Sequence, residues 1–311
     1  MDLNQPIVKL KLDVIFKRVF GDENNTDIIA AFLSALLEIP RESIEKITLN
    51  NVEMAPEYLE QKFSRLDMKM DVDGKTVNVE MQVNYAPDFR ERTLFYWSKL
   101  YSEELKTGDE YGSLKRTVCI NLIDFNLFDC EDYHSQFSVM EHSRHEVLTD
   151  KLSIHFFELK KSRKYHKNSP MDEWLDLINA ETEGDLMEIQ NSTVIPEVNK
   201  TILIIRNLSG DEKIRQEAYY REKRLHDEAT ALGHARREGI AQGRAEGLTQ
   251  GRAEGLTQGR AEGLTQGRAE GLTQGRAEGL TQGRAETIRE MTQRMRDRGM
   301  TDDEIKAILG E

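Results

Sequence analysis

The chain has 311 residues, with 43 Lys and Arg against 56 Asp and Glu and a formal net charge of −13. That length holds one large domain plus appendages, and the sign of the charge excludes a general electrostatic affinity for nucleic acid. The two cysteines, Cys119 and Cys130, give no disulfide framework and no zinc site, since Cys119 lies inside an apolar run.

The opening Met1-Asp-Leu-Asn-Gln-Pro6 has neither a basic nor an apolar leader segment, and no apolar run approaches the roughly 18 residues that span a bilayer. A soluble protein of a reducing compartment, the cytoplasm, with no membrane partner, is the expectation. A first helix is predicted over Asp13–Phe20, stopping at Gly21. A second runs from Asp27 to Glu38, with Ile28, Ile29, Phe32, Leu33, Leu36 and Leu37 as its apolar face. A strand follows near Ile47–Asn50.

From Arg65 to Gln82 the chain reads as a β-hairpin. Leu66, Met68, Met70 and Val72 alternate with polar residues, as do Val77, Val79, Met81 and Val83, and Asp73-Gly74 between the runs is a strong two-residue turn signal. In the register this turn dictates, Met70 faces Val77 and Met68 faces Val79. On the other face Lys69 meets Asn78, Asp71 meets Thr76 and Asp67 meets Glu80. Two carboxylates directly opposed across a strand pair repel each other unless something compensates. A divalent cation such as Mg²⁺ or Mn²⁺ suits such oxygen ligands, with water and substrate phosphate completing its shell. A solvated sheet face, neutralised by Lys69 and Arg65, is the alternative that the hairpin alone leaves open.

Pro87 opens and Gly108 closes the next predicted helix, whose buried stripe is read as Phe89, Thr93, Leu94, Trp97, Leu100 and Tyr101. Arg92, Tyr96, Lys99 and Glu103 share another of its faces. If that face overlooks the hairpin, Arg92 and Tyr96 are placed to touch a phosphate or orient a metal ligand; otherwise they edge a packed helix. An apolar strand at Val118–Phe125 is expected in mid-sheet, and a turn near Thr149-Asp150 joins Phe137–His142 to Ile154–Leu159. Lys160, Lys161, Arg163 and Lys164 belong to the best basic patch, ahead of a helix opened by Ser169-Pro170. This patch is either a phosphate grip or a solvated loop.

Ser209-Gly-Asp-Glu212 reads as a capping box for a long charged helix running towards Arg237. Gly243-Arg-Ala-Glu-Gly-Leu-Thr-Gln250 then recurs in five perfect copies, and Gly283-Arg-Ala-Glu286 begins a sixth. From Gly243 onward there are 11 basic and 12 acidic residues, which leaves the body with 32 basic, 44 acidic and a net −12. The tract offers no catalytic group. Each Gly costs a helix about 1 kcal/mol relative to Ala, and Arg and Glu two residues apart do not pair. It is read as a weakly stable helical spacer or a flexible linker. Met300–Gly310 reads as a capped terminal helix, a candidate for self-association through the tail. The boundaries expected are 1–208, 209–242, 243–286 and 287–311.

Lys11-Leu-Asp-Val-Ile-Phe-Lys-Arg-Val-Phe-Gly21, Leu66-Asp67, Val79-Glu-Met-Gln82, Arg92, Tyr96, Lys99-Leu-Tyr101, Gly108, Tyr111 and the strand Val118–Phe125 occur in an order that resembles the PD-(D/E)XK family of transposases, also called recombination-promoting nucleases. The resemblance covers roughly residues 5 to 240. It implies an α/β, restriction-endonuclease-like core, a mixed sheet flanked by helices, ahead of the long helical tail. It further implies a metal-dependent DNA endonuclease in which Asp67 and Glu80 hold Mg²⁺ or Mn²⁺. The wider fold usually has Lys at the third catalytic position, and here Gln82 stands there. Gln supplies no cation, and Lys69, diagonal to Glu80, is a candidate stand-in; screening of Asp67 and Asp71 is its alternative role. A catalytically silent fold that binds DNA or protein is the competing expectation.

Overall fold

The computed structural model describes residues 2–50, 68–162 and 169–310. Two helices come first, α1 (Asp13–Phe20) and α2 (Thr26–Leu37). The helix ends one residue before the sequence suggests, because Glu38 takes a left-handed conformation, with φ of 52°, and its N–H returns to Ser34 O.

Strands β1 (Ile47–Asn50), β2 (Met68–Val72) and β3 (Lys75–Gln82) form an antiparallel meander. The β2–β3 register is the predicted one over all the described pairs, from Val72 opposite Lys75 to Met68 opposite Val79. Its turn needs positive φ at both central residues, and Asp73 (50°) and Gly74 (76°) supply it. The Asp73 carboxylate also accepts from the Glu45 and Lys46 N–H groups, tying the turn to the start of β1.

After α3 (Phe89–Glu103) come β4 (Thr117–Ile123), β5 (His134–Phe137) and β6 (Leu152–Glu158). The sheet order is β1-β2-β3-β4-β6-β5, with β3, β4 and β6 parallel and β5 antiparallel at the edge. The mixed sheet expected for the core is therefore present. The β5–β6 pair differs in detail: its outer strand begins at His134, and the chain reverses between Met140 and Val147, which form an isolated bridge, ahead of Thr149. The His134 ring stacks on Phe157 at 4.3 Å, which anchors the strand earlier than apolar alternation indicates.

One sheet face carries Val77, Val79, Met81, Val118, Ile120 and Leu122 and packs in the main core with α1, α2, α5 (Pro170–Asn179), α6 (Glu183–Ser192) and α7 (Pro196–Gly210). The opposite face is covered by α3, where Phe89, Tyr96 and Leu100 meet Cys119, Ile123, Phe125, Ile154 and Phe156. The stripe on α3 is thus shifted from the predicted one. Leu94 is 54% exposed and Tyr96 4%. A sheet face that is partly polar selects an amphipathic Tyr over Leu. Trp97 lies at the margin, donating from Nε1 to Thr117 O and stacking on Tyr101.

A short helix, α4 (Leu159–Ser162), extends β6, and Ser169 caps α5 in a capping box with Pro170 at its first position, as predicted. The helix after α7 is α8 (Glu212–Asp297), and its cap is Asp211, whose Oδ1 accepts from Lys213 and Ile214 N–H. Ser209 is spent elsewhere: its hydroxyl donates to Ile205 O and accepts from Val8 N–H. The chain divides into two compact units, Met1–Leu232 and Gly233–Glu311.

In the second unit the repeats are helical throughout. A pairing across repeat boundaries supports them: Gln250 Nε2 donates to Glu254 Oε1 at 2.8 Å, and Gln242–Glu246, Gln258–Glu262, Gln266–Glu270 and Gln274–Glu278 repeat the bond. Such i,i+4 pairs contribute about 0.2–0.5 kcal/mol each. The terminal helix α9 (Asp302–Leu309) has the predicted form, with a Thr301–Glu304 capping box and left-handed Gly310.

Candidate active site

Alternation along β3 puts Thr76, Asn78, Glu80 and Gln82 on the face that α3 covers. The helix runs antiparallel to the strand, since Arg92 reaches Glu80 and Gln82 while Glu104 accepts from Thr76 Oγ1. Twelve helical residues and six strand residues each span about 18–20 Å, so the two polar rows stay in step. The helix face that carries Arg92 and Glu103, for which the sequence left two placements open, overlooks the hairpin: Arg92 lies at one end, and Glu103 receives Lys69 Nζ at 3.5 Å near the other.

Glu80 is 6% exposed, which removes it from any solvated sheet face. Arg92 Nη2 donates to Glu80 Oε1 at 2.7 Å and to Gln82 Oε1 at 2.9 Å, and its guanidinium lies 4.7 Å from the Phe89 ring centre. Gln82 Nε2 donates to Asn84 O at 2.9 Å. Both ends of the Gln82 amide are therefore engaged. Beside Glu80 on β4 stands Asn121, which accepts from Thr93 Oγ1 and donates to His155 O. Burial first, and the negative charge of Glu80 second, push the Cys119 thiol far up from its ordinary range. Asn78 Oδ1 is buried without a hydrogen-bond partner.

Lys69 faces Asn78 across the hairpin, diagonal to Glu80 as expected, with Glu103 as its ion-pair partner. Tyr96 stands between Arg92 and Leu100 in the core, so its ring is shielded from a phosphate at the surface. Asp67, the expected partner of Glu80, lies outside the described residues, as do Arg163 and Lys164 of the basic patch. Lys160 is exposed. Lys161 is not part of that surface: it is 7% exposed, and its Nζ contacts Glu158 Oε2 at 2.7 Å and Phe128 O at 2.8 Å. No periodic signal marks Lys161 as buried, because its partner Glu158 ends an apolar strand.

The loop leaving β3 is tied to the first turns of α8 by Asn84 Nδ2, which donates to Leu225 O at 3.0 Å. Those turns are held to the N-terminal segment by Arg221–Asp13, Arg18–Glu217 and Lys9–Glu222. A family model described as PD-(D/E)XK nuclease family transposase matches residues 10–235. The chain belongs to this family. The match runs from just before α1 into α8 and stops ahead of the first repeat at Gly243. No curated protein and no solved structure matches the chain.

Nucleases of the PD-(D/E)XK type use divalent metal ions. Among the described residues no three His, Cys, Asp or Glu side chains cluster as a ready ligand set, and Glu80 is the carboxylate present from the expected pair. Three oxygen-bearing side chains on this face of β3 have the donor chemistry of a hard cation's ligands: the buried Glu80 carboxylate, the Gln82 amide two residues on, and Asn78 two residues back, whose Oδ1 has no hydrogen-bond partner. No helix of the described residues is long and apolar enough to cross a membrane.

Proposed function

We propose that this PD-(D/E)XK family member is a metal-dependent DNA endonuclease that hydrolyses phosphodiester bonds and so promotes recombination or mobile-element DNA processing. The observation that carries the reading is the burial of Glu80 on a central strand, with its charge held by Arg92 and its neighbour Gln82 fixed by two hydrogen bonds. Even paired with Arg92, a buried carboxylate carries a desolvation cost that an apolar side chain would not, which supports a use for its charge beyond folding. Asp67 and Glu80 would hold Mg²⁺ or Mn²⁺. Such an ion lowers the pKa of bound water and stabilises charge developing on the phosphate.

The chain's own residues supply the rest. Gln82, clamped between Arg92 and Asn84 O, holds its amide oxygen in a fixed direction beside Glu80 and orients water or a ligand. Lys69 offers a cation near the hairpin face, at present shared with Glu103. Exposed Lys160 contributes to a local DNA contact that the net charge of the body does not provide. Relaxation of supercoiled plasmid with Mg²⁺ or Mn²⁺, compared between wild type and Asp67→Ala, is the test; equal nicking by the two proteins would sink the assignment.

A second reading, a silent nuclease fold acting as a binding module, is favoured by Gln82 standing where a lysine would supply a cation, with its amide oxygen already taken by Arg92 Nη2 and one of its N–H groups by Asn84 O. Mn²⁺ titration separates the two, because a silent fold need not bind metal through Glu80.

A further inference from the structure

If Glu80 is a metal ligand, the fate of Arg92 has to be decided, since both positive centres claim one carboxylate. A single nitrogen, Arg92 Nη2, bridges Glu80 Oε1 and Gln82 Oε1 at 2.7 and 2.9 Å, the two oxygens that a cation bound at Glu80 would also approach. Charges a few ångströms apart in a partly buried site interact strongly, so the guanidinium and a divalent ion compete. Arg92 has somewhere else to go. Its side chain is 24% exposed while that of Glu80 is 8%, so it sits at the mouth of the site. Its Nε is buried and has no acceptor, and the guanidinium rests on the Phe89 ring at 4.7 Å. The hydrogen-bonding capacity of the fork is therefore partly unspent, and a guanidinium fork matches a phosphate with two parallel hydrogen bonds.

We propose that Arg92 is an exchangeable counter-ion: it holds the Glu80 carboxylate until a divalent cation takes that carboxylate, and is then released to grip a DNA phosphate, so that metal binding and DNA binding are coupled. The inference rests on the nuclease reading of the site. It makes Arg92 a competitor of the metal in the free protein and a contact of the substrate in the loaded one. Substituting it then has opposite effects on the two ligands.

The experiment uses the full chain and reads binding instead of cleavage. Mn²⁺ binding is followed by electron paramagnetic resonance, and affinity for a fluorescent DNA duplex by anisotropy with and without Ca²⁺. Arg92→Gln should bind Mn²⁺ at least about tenfold tighter than wild type, while Arg92→Lys, which keeps a cation in place, should not. Ca²⁺ should tighten DNA binding by wild type about tenfold or more and leave Arg92→Gln unchanged. Glu80→Gln, which frees Arg92 without metal, should bind DNA tightly with or without Ca²⁺. Equal or weaker Mn²⁺ binding by Arg92→Gln overturns the exchange and makes Arg92 a positioning residue for Glu80. Tightening by Arg92→Lys as great as by Arg92→Gln overturns it too, because bulk and not charge is then what competes. If wild type shows no Mn²⁺ binding that Glu80→Gln removes, the nuclease reading fails and the exchange with it. Binding through Glu80 without tightening in Arg92→Gln refutes the exchange alone.

Discussion

Lys161 provides a sharp discrimination between a surface role and a structural one. Its ammonium is 2.7 Å from Glu158 Oε2, and the Glu158 side chain is fully buried. Glu158 Oε1 accepts from Leu127 N–H at 2.6 Å and from Phe128 N–H at 3.3 Å, so the pair also closes the loop after β4. Lys161→Ala removes the cation and leaves a buried carboxylate with only backbone donors. Breaking a buried pair in this way costs about 3–5 kcal/mol. For a unit of the size of Met1–Leu232, each kcal/mol lowers Tm by about 2–4 °C, so a fall of about 6–20 °C is expected. Calorimetry gives the shift, and anisotropy at a temperature where the variant is folded gives the DNA affinity, expected to match wild type. Restoring neutrality with Glu158→Gln in the same chain should recover part of the loss. A Tm within a degree of wild type together with weakened DNA binding would refute the structural assignment and return Lys161 to the phosphate-binding patch.

Burial, followed by the charges of His134 and Arg116, lowers the His155 pKa from 6.5 to about 4. A base whose folded pKa is depressed favours the fold while neutral, so its contribution is full above pH 6.5 and is lost as pH falls from there to 4. The loss approaches about 3 kcal/mol by pH 4, and urea titrations at several pH values should show it in wild type but not in His155→Gln; parallel curves would remove His155 as the cause. Glu38 holds a left-handed backbone conformation that a side chain disfavours, and Glu38→Gly is expected to stabilise the first unit by about 0.5–1 kcal/mol, read as a raised Tm. A Cβ placed on Gly247, Gly255 or Gly263 meets nothing within 4 Å, so Ala at all three should stabilise the helix by about 1 kcal/mol per site, read as a raised melting temperature of the tract's circular dichroism signal; no change would mean that the tract is not helical in solution.

The parts of the candidate site that could be read from the chain are those set by short-range geometry. Period-two alternation and Asp73-Gly74 gave the hairpin register, and with it the side of β3 on which Glu80 and Gln82 stand. Helical spacing put Arg92 and Glu103 on one face, and that face does meet the hairpin. What could not be read was burial of polar groups. Glu80 and Lys161 have the sequence neighbourhoods of surface charges, and only the approach of α3 and of the loop at Phe128 takes them out of water. The same limit misassigned the α3 stripe: whether Tyr96 or Leu94 faces inward depends on the polarity of the opposing strand.

By itself, then, the sequence determined local handedness and register, the helical and strand periods, the ordered residues that mark the family, and the repeat boundaries at every eighth residue. Tertiary structure decided which charges are paired and with whom. Arg92 bridges Glu80 and Gln82, Lys161 answers Glu158, and Asp211 instead of Ser209 caps α8 because Val8 already claims the Ser209 hydroxyl. The physical reason is range: backbone geometry and turn preferences act over a few residues, whereas the cost of burying a charge depends on partners brought together from anywhere along the chain.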